Sequence, residues 1–162
     1  MSKSMVLSGP MSALRSRFGD REAIRRMAKA GFDAVDYTFN EMVSDDCVWN
    51  TPQWEEYGKE LLALARDQGV FFNQAHAPFL FDWDNEWRTP AFETNILPKI
   101  HQSFRCAALL GIPRIVVHPI HHIRYRGNQA MLWDWNQEYY HRILALGKEC
   151  GVQIALENMW QT

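Results

Sequence analysis

The chain is poor in the features that assign a protein quickly. It has only three cysteines in 162 residues, Cys47, Cys106 and Cys150. They are odd in number, widely spaced and never in a CxxC pair, which excludes a disulfide framework and points to reduced thiols in the cytoplasm. No stretch approaches the roughly 20 apolar residues that cross a membrane. The start, "MSKSMVLSGPMSALRSRFGD", lacks the unbroken apolar core of a secretory signal peptide. Basic excess is missing too: 17 Lys and Arg stand against 19 Asp and Glu, a formal net charge of −2. That balance gives no footprint for a phosphate backbone, so nucleic acid is not an expected partner. The first strand-to-helix junction reads "SGPMSALRSRFGD" where a dinucleotide-binding sheet needs GxGxxG, so no phosphate-cradling loop or nicotinamide cofactor is indicated.

What is present is a chain of one-domain size that is 47% hydrophobic, enough to bury a core. Its periodicity alternates. "MVLS" (5–8) reads as a strand stopped by Gly9 and Pro10, and "DREAIRRMAKAG" (20–31) as a helix with Asp20 as its cap and Gly31 as its close. Strands follow at 32–39, 70–79, 113–119 and 152–158, and helices at 52–69, 92–111 and 136–151, with Pro98 near the first turn of the 92–111 helix or at a kink in it, and Asn136 capping the last. A (βα)4β order with helices of this length predicts right-handed crossovers and a parallel sheet. An open doubly wound sheet and a closed eight-stranded barrel both use this grammar, and five strands are too few to close the barrel.

The chemistry-bearing residues sit at strand ends. Strict alternation places Phe72, Gln74 and His76 on one face of the third strand, Val116 and His118 on one face of the fourth, and Gln153, Ala155 and Glu157 on one face of the fifth. The opposite faces, Ile115 with Val117 and Val152 with Ile154 and Leu156, are aliphatic and suited to lie under helices. His76, His118 and Glu157 all fall at C-terminal ends, the edge where parallel α/β folds gather their ligands. Two imidazoles and a carboxylate are the donor types that take Zn²⁺, Mn²⁺ or a related divalent ion. Asp36, near the end of the second strand, and Gln74 are candidates for substrate contact. "HPIHHIRYR" (118–126) brings His121, His122, Arg124 and Arg126 after the fourth strand, where a solvated polar loop is the simpler reading. His101 and His141 fall within helices, and Trp83, Trp87, Trp133 and Trp135 supply aromatic surface for a pocket wall, a cover over the strand ends or an oligomer surface.

"AGFDAVDYTF", "NQAHAPF", "IVVHP" and "IALENMW", in this order on successive strands, resemble the xylose isomerase-like TIM barrels, and within them the sugar phosphate isomerase/epimerase group. The resemblance implies a partial (β/α)8 barrel: a (βα)4β half-barrel of parallel strands in which residues 1–162 form one truncated domain. It implies a divalent metal at the barrel mouth (Mn, Zn, Mg or Co), a sugar or sugar phosphate substrate, and proton transfer next to a carbonyl. By position, Glu157 matches a glutamate that binds metal and serves in acid/base work. His76 and His118 match histidines that bind metal in the endonuclease IV branch and line the substrate pocket in the sugar branch. The family's later strands, which complete the site, have no counterpart in this chain, so it is expected to be incomplete or inactive alone. Its exposed sheet edges are expected to drive a homodimer or higher oligomer. A non-catalytic half-barrel and an endonuclease IV-like repair enzyme are the competing functions.

Overall fold

The computed structural model describes residues 5–79, 87–120 and 127–157. Five strands form one sheet in the order β1-β2-β3-β4-β5, every neighbouring pair parallel: β1 (Ser8–Pro10), β2 (Ala34–Thr38), β3 (Phe71–His76), β4 (Arg114–Val117) and β5 (Gln153–Leu156). A doubly wound sheet reverses its strand order at a switch point. Here each strand instead pairs with its successor, the ordering of a barrel wall, and the sheet is not closed. The helices are α1 (Ser12–Phe18), α2 (Asp20–Lys29), α3 (Trp54–Asp67), α4 (Leu97–Leu109) and α5 (Gln129–Cys150), each packing on the next. Among the described residues no helix is long and apolar enough to cross a membrane.

One face of the sheet carries the core. Val35, Tyr37, Phe72, Ala75, Ile115 and Val117 are buried against Ile24, Leu61, Phe104, Ala107 and Ile143 of the helices. The aliphatic alternation of the fourth strand therefore lies where its pattern places it. Ile154 also packs there, whereas Leu156 remains about half exposed, because β5 is an edge strand whose far end no described helix covers.

The third strand departs from strict alternation. Val35 pairs with Phe72 and Asp36 with Gln74, so Asn73 is an extra residue, a β-bulge. Phe72 turns into the helix-side core, edge-on to Tyr37 at 5.8 Å between ring centroids. Asn73 Oδ1 accepts a hydrogen bond from Ser8 Oγ of β1, reaching across β2, and Gln74 Nε2 donates to Asp36 Oδ2. The grouping of Phe72 with Gln74 and His76 is thus corrected: a bulge resets the parity between Phe72 and Gln74, and only the latter two share the polar face.

Three further boundaries move. The first strand starts later, at Ser8, and includes the Gly9 and Pro10 that were expected to end it; Pro10 is tolerated because β1 is an edge strand. Asp20 is the first residue of α2, and its cap is Gly19, whose φ of 77° breaks the chain between α1 and α2 at a position other residues adopt at a cost. The last helix begins at Gln129, capped by the Asn128 side chain, which accepts from the Met131 amide; Asn136 is buried well inside it. Pro98 falls in the first turn of α4 as the sequence predicts. A π-type turn, Phe92–Ile96, precedes it.

The helix α1 has no apolar stripe long enough to read from sequence. Arg15 holds it: its side chain is buried, pairs with Asp20 at 2.6 Å and Glu41 at 2.8 Å, donates to the Thr38 carbonyl at 2.7 Å, and lies over the Tyr37 ring. Tyr57 of α3 donates to the other oxygen of Asp20. One guanidinium therefore ties α1, α2, the end of β2 and the following loop together. The helix α5 seats on β5 through Gly147, where a Cβ would come within 2.6 Å of Ile154. All three thiols are raised above the ordinary cysteine range, chiefly by burial, with Cys106 pushed up to about 12.

Replacing Arg15 with Met leaves the Asp20 carboxylate buried without its counter-charge. Urea unfolding should show a loss of about 3–5 kcal/mol. The double variant Arg15→Met, Asp20→Leu, with no stranded charge, should recover most of it.

Candidate active site

The polar face of the sheet ends in a cluster. His76 closes β3, while His118 and Glu157 follow β4 and β5 directly, so three adjacent parallel strands bring their C-terminal side chains together. Glu157 Oε2 lies 3.1 Å from His118 Nε2 and 3.9 Å from His76 Nδ1. The two imidazoles stack with centroids 5.5 Å apart and planes 25° from parallel. His118 is buried, with Phe79 edge-on to its ring at 4.5 Å. His76 and Glu157 are more open, their side chains 28% and 44% exposed. One donor atom from each of the three lies within 4.8 Å of the other two.

An ion with ligands at 2.0–2.2 Å spans donors up to about 4.4 Å apart. Both carboxylate–imidazole separations fall inside that reach. The third donor pair needs at most a slight ring rotation. Two neutral imidazoles and one carboxylate suit Zn²⁺, Mn²⁺ or Co²⁺ better than Mg²⁺, which prefers oxygen.

A second row stands behind His76. Its Nε2 lies 3.5 Å from Asp36 Oδ2, longer than a formed hydrogen bond. Asp36 itself is held by Gln74 at 2.9 Å. The contact with Asp36 raises the His76 pKa above the ordinary histidine value; burial opposes this, and the charges of Asp36 and Glu157 add to it.

Two backbone clamps at the mouth were not legible as site residues. Asn136 of α5 donates to the Ile120 carbonyl at 2.9 Å and accepts from the Ile120 amide at 2.7 Å, which fixes the chain two residues beyond His118. Its position in an aromatic stretch resembles a helix cap, and only the earlier helix start reveals the clamp. Arg15 does the equivalent at Thr38. Next to Glu157, a cleft of about 330 Å³ is walled by Pro119, Leu132, Trp133 and Tyr140. Burial pushes the Tyr140 phenol up to about 12. Trp133 thus lies on a pocket wall, whereas Trp87 is core, packed against Phe92 and Tyr139. His101 faces Glu149 of α5, and His141 contacts the Gln137 carbonyl of its own helix; both lie outside the cluster. Trp83, His121, His122, Arg124 and Arg126 lie outside the described residues.

A sequence profile described as xylose isomerase-like TIM barrel matches residues 24–162. The chain belongs to this family. Among solved structures, this xylose isomerase-like chain is similar to a D-tagatose 3-epimerase-like protein, at 21% identity and a TM-score of 0.69, over 96% of this chain and 53% of that one. It is similar to a D-psicose 3-epimerase crystallised in the presence of D-fructose, at 16% identity and a TM-score of 0.68, over 98% of this chain and 54% of that one. It is also similar to a Thermus thermophilus protein soaked with ZnCl2, at 20% identity and a TM-score of 0.57, over 96% of this chain and 56% of that one. At such identities the likeness is one of fold. The chain spans about half the length of these structures. No curated protein matches it.

With its folded pKa raised, His76 contributes stability that is fully present below about 6.5, the ordinary value. That contribution fades as pH rises through the elevated value. An NMR titration of the metal-free protein should place the His76 midpoint above 6.5, and Glu157→Gln should move it down.

Proposed function

We propose that this chain carries the metal-binding and proton-transfer part of a sugar or sugar phosphate isomerase/epimerase site. The observation behind this reading is the convergence of His76, His118 and Glu157 donor atoms within 4.8 Å at the ends of adjacent parallel strands. The family and the epimerase folds it resembles favour a sugar as substrate over other carbonyl compounds. His76, through Nδ1, and His118, through Nε2, hold a divalent cation together with Glu157. Such a cation polarises a substrate carbonyl or hydroxyl and makes the neighbouring C–H more acidic. Glu157 has a second role: it also lines the cleft beside the cluster, where a carboxylate accepts the proton from the carbon next to the carbonyl. Trp133 and Tyr140 supply the apolar wall against which a sugar ring stacks.

The sheet edges bear on assembly. Among the described strands β1 and β5 each pair on one side only, and Met5, Val6, Leu7 and Leu156 beside them are about half exposed or more. We expect a second copy to cover these edges. Sedimentation should give at least a dimer mass at micromolar concentration, and a stable monomer would count against this association.

The purified protein should retain close to one Mn²⁺, Zn²⁺ or Co²⁺ per chain after dialysis, and Glu157→Ala should lose it. In D2O, deuterium uptake by a ketohexose or its phosphate at the carbon next to the carbonyl, measured with the site completed by a second copy or by further strands, should fall about 10²–10⁴-fold in Glu157→Ala. Metal without exchange would assign a non-catalytic half-barrel instead. Cleavage of abasic DNA in place of exchange would move the chain to the endonuclease IV reading.

A further inference from the structure

We propose that Asp36 is a positioning residue that sets the tautomer and orientation of His76, and that Gln74 in turn fixes Asp36. This rests on reading His76, His118 and Glu157 as the cation site. Asp36 and Gln74 are register partners on β2 and β3, and Thr38 and His76 are partners two residues further on, so all of these side chains stand on one pair of strands. The bulge at Asn73 is what makes Gln74 and His76 neighbours on the same face as Asp36. Gln74 Nε2 donates to Asp36 Oδ2 at 2.9 Å, and that same oxygen is the one turned to His76 Nε2, 3.5 Å away. The Asp36 side chain is 15% exposed. Its other oxygen is buried without a hydrogen-bond partner.

A neutral imidazole carries one hydrogen and one lone pair on its two nitrogens. His76 faces a carboxylate from each: Asp36 at 3.5 Å from Nε2 and Glu157 at 3.9 Å from Nδ1. The nearer carboxylate, sitting in the more buried position and held still by Gln74, keeps the hydrogen on Nε2. The Nδ1 lone pair is then directed to the cluster, as a cation requires. Partners of this second row typically alter metal affinity 10–100-fold when removed. Asp36 also borders a small hollow with Pro10, Ser12, Thr38 and Asn40. His76 borders the same hollow, and the Gln74 hydrogen bond aims the Asp36 oxygen at its ring, which favours the positioning role over the substrate contact expected from the sequence.

The test is ¹⁵N NMR of His76 in the metal-free protein, above its titration midpoint, with His118 as internal reference. The wild type should be mainly the Nε2–H tautomer. Asp36→Asn should reduce that preference and, with an unchanged circular dichroism spectrum, weaken Zn²⁺ binding by roughly 10–100-fold in calorimetry. An unchanged His76 tautomer in Asp36→Asn overturns the proposal, as does a dominant Nδ1–H form in the wild type. Should Asp36→Asn fail to fold, Gln74→Met removes the clamp and leaves the carboxylate. A shifted His76 tautomer there supports the assignment, and an unshifted one overturns it. If the wild type binds no Zn²⁺, the cation reading fails, while the tautomer comparison still decides what Asp36 does to His76.

Discussion

One extra residue in β3 governs the mouth of this sheet. A strand that alternated strictly from Phe72 would put the phenyl ring and the imidazole of His76 on the same face. Either the ring would then be stranded among polar groups or the histidine would be buried under helices. The bulge at Asn73 removes the conflict. Phe72 joins Tyr37 in the core, and Gln74 and His76 turn to the side where Asp36, His118 and Glu157 stand. The unpaired residue is itself used, since Asn73 accepts a hydrogen bond from Ser8 and so ties the edge strand β1 to β3 across the interior. A bulge beside a functional site re-aims a side chain in this way.

The three donors of the cluster were legible in the sequence because each stands at the C-terminal end of its strand. His118 and Glu157 directly follow aliphatic runs, where a polar side chain has no packing reason to be, and His76 closes the more polar "FFNQAH"; equivalent positions on three consecutive strands invite one explanation. The repeating strands and helices were legible as periods of two and 3.6. The bulge left no such mark, because "FFNQAH" fits unbroken alternation equally well. The helix α1 is only seven residues long, and its stability comes from ion pairs that Arg15 makes with Asp20 and the distant Glu41. No local propensity announces that. Asn136 was misread because asparagine is a common cap and also a common clamp; where the helix begins decides between the two, and helix starts are the least determined part of a sequence reading.

Clamps and cluster form one arrangement. Arg15 holds the end of β2, Asn136 holds the chain after β4, and Gly147 lets α5 seat closely on the Ile154 side chain of β5, the strand that leads into Glu157. The first two act at the C-terminal ends of their strands, and the third fixes β5 from its side. Shared coordination by three separate strands demands that their ends hold a fixed spacing.

The raised thiols acquire a meaning in this setting. Cysteine binds soft and borderline cations as thiolate, more strongly than imidazole does, and a reduced protein with reactive thiolates would scatter such ions over its surface. Burial raises Cys47, Cys106 and Cys150 above the ordinary thiol value, most strongly Cys106, which is fully buried, whereas Cys47 and Cys150 are partly exposed. Burial thus leaves each thiol poorer in thiolate than an open cysteine in its place, and a weaker competitor for such an ion than an exposed cysteine would be.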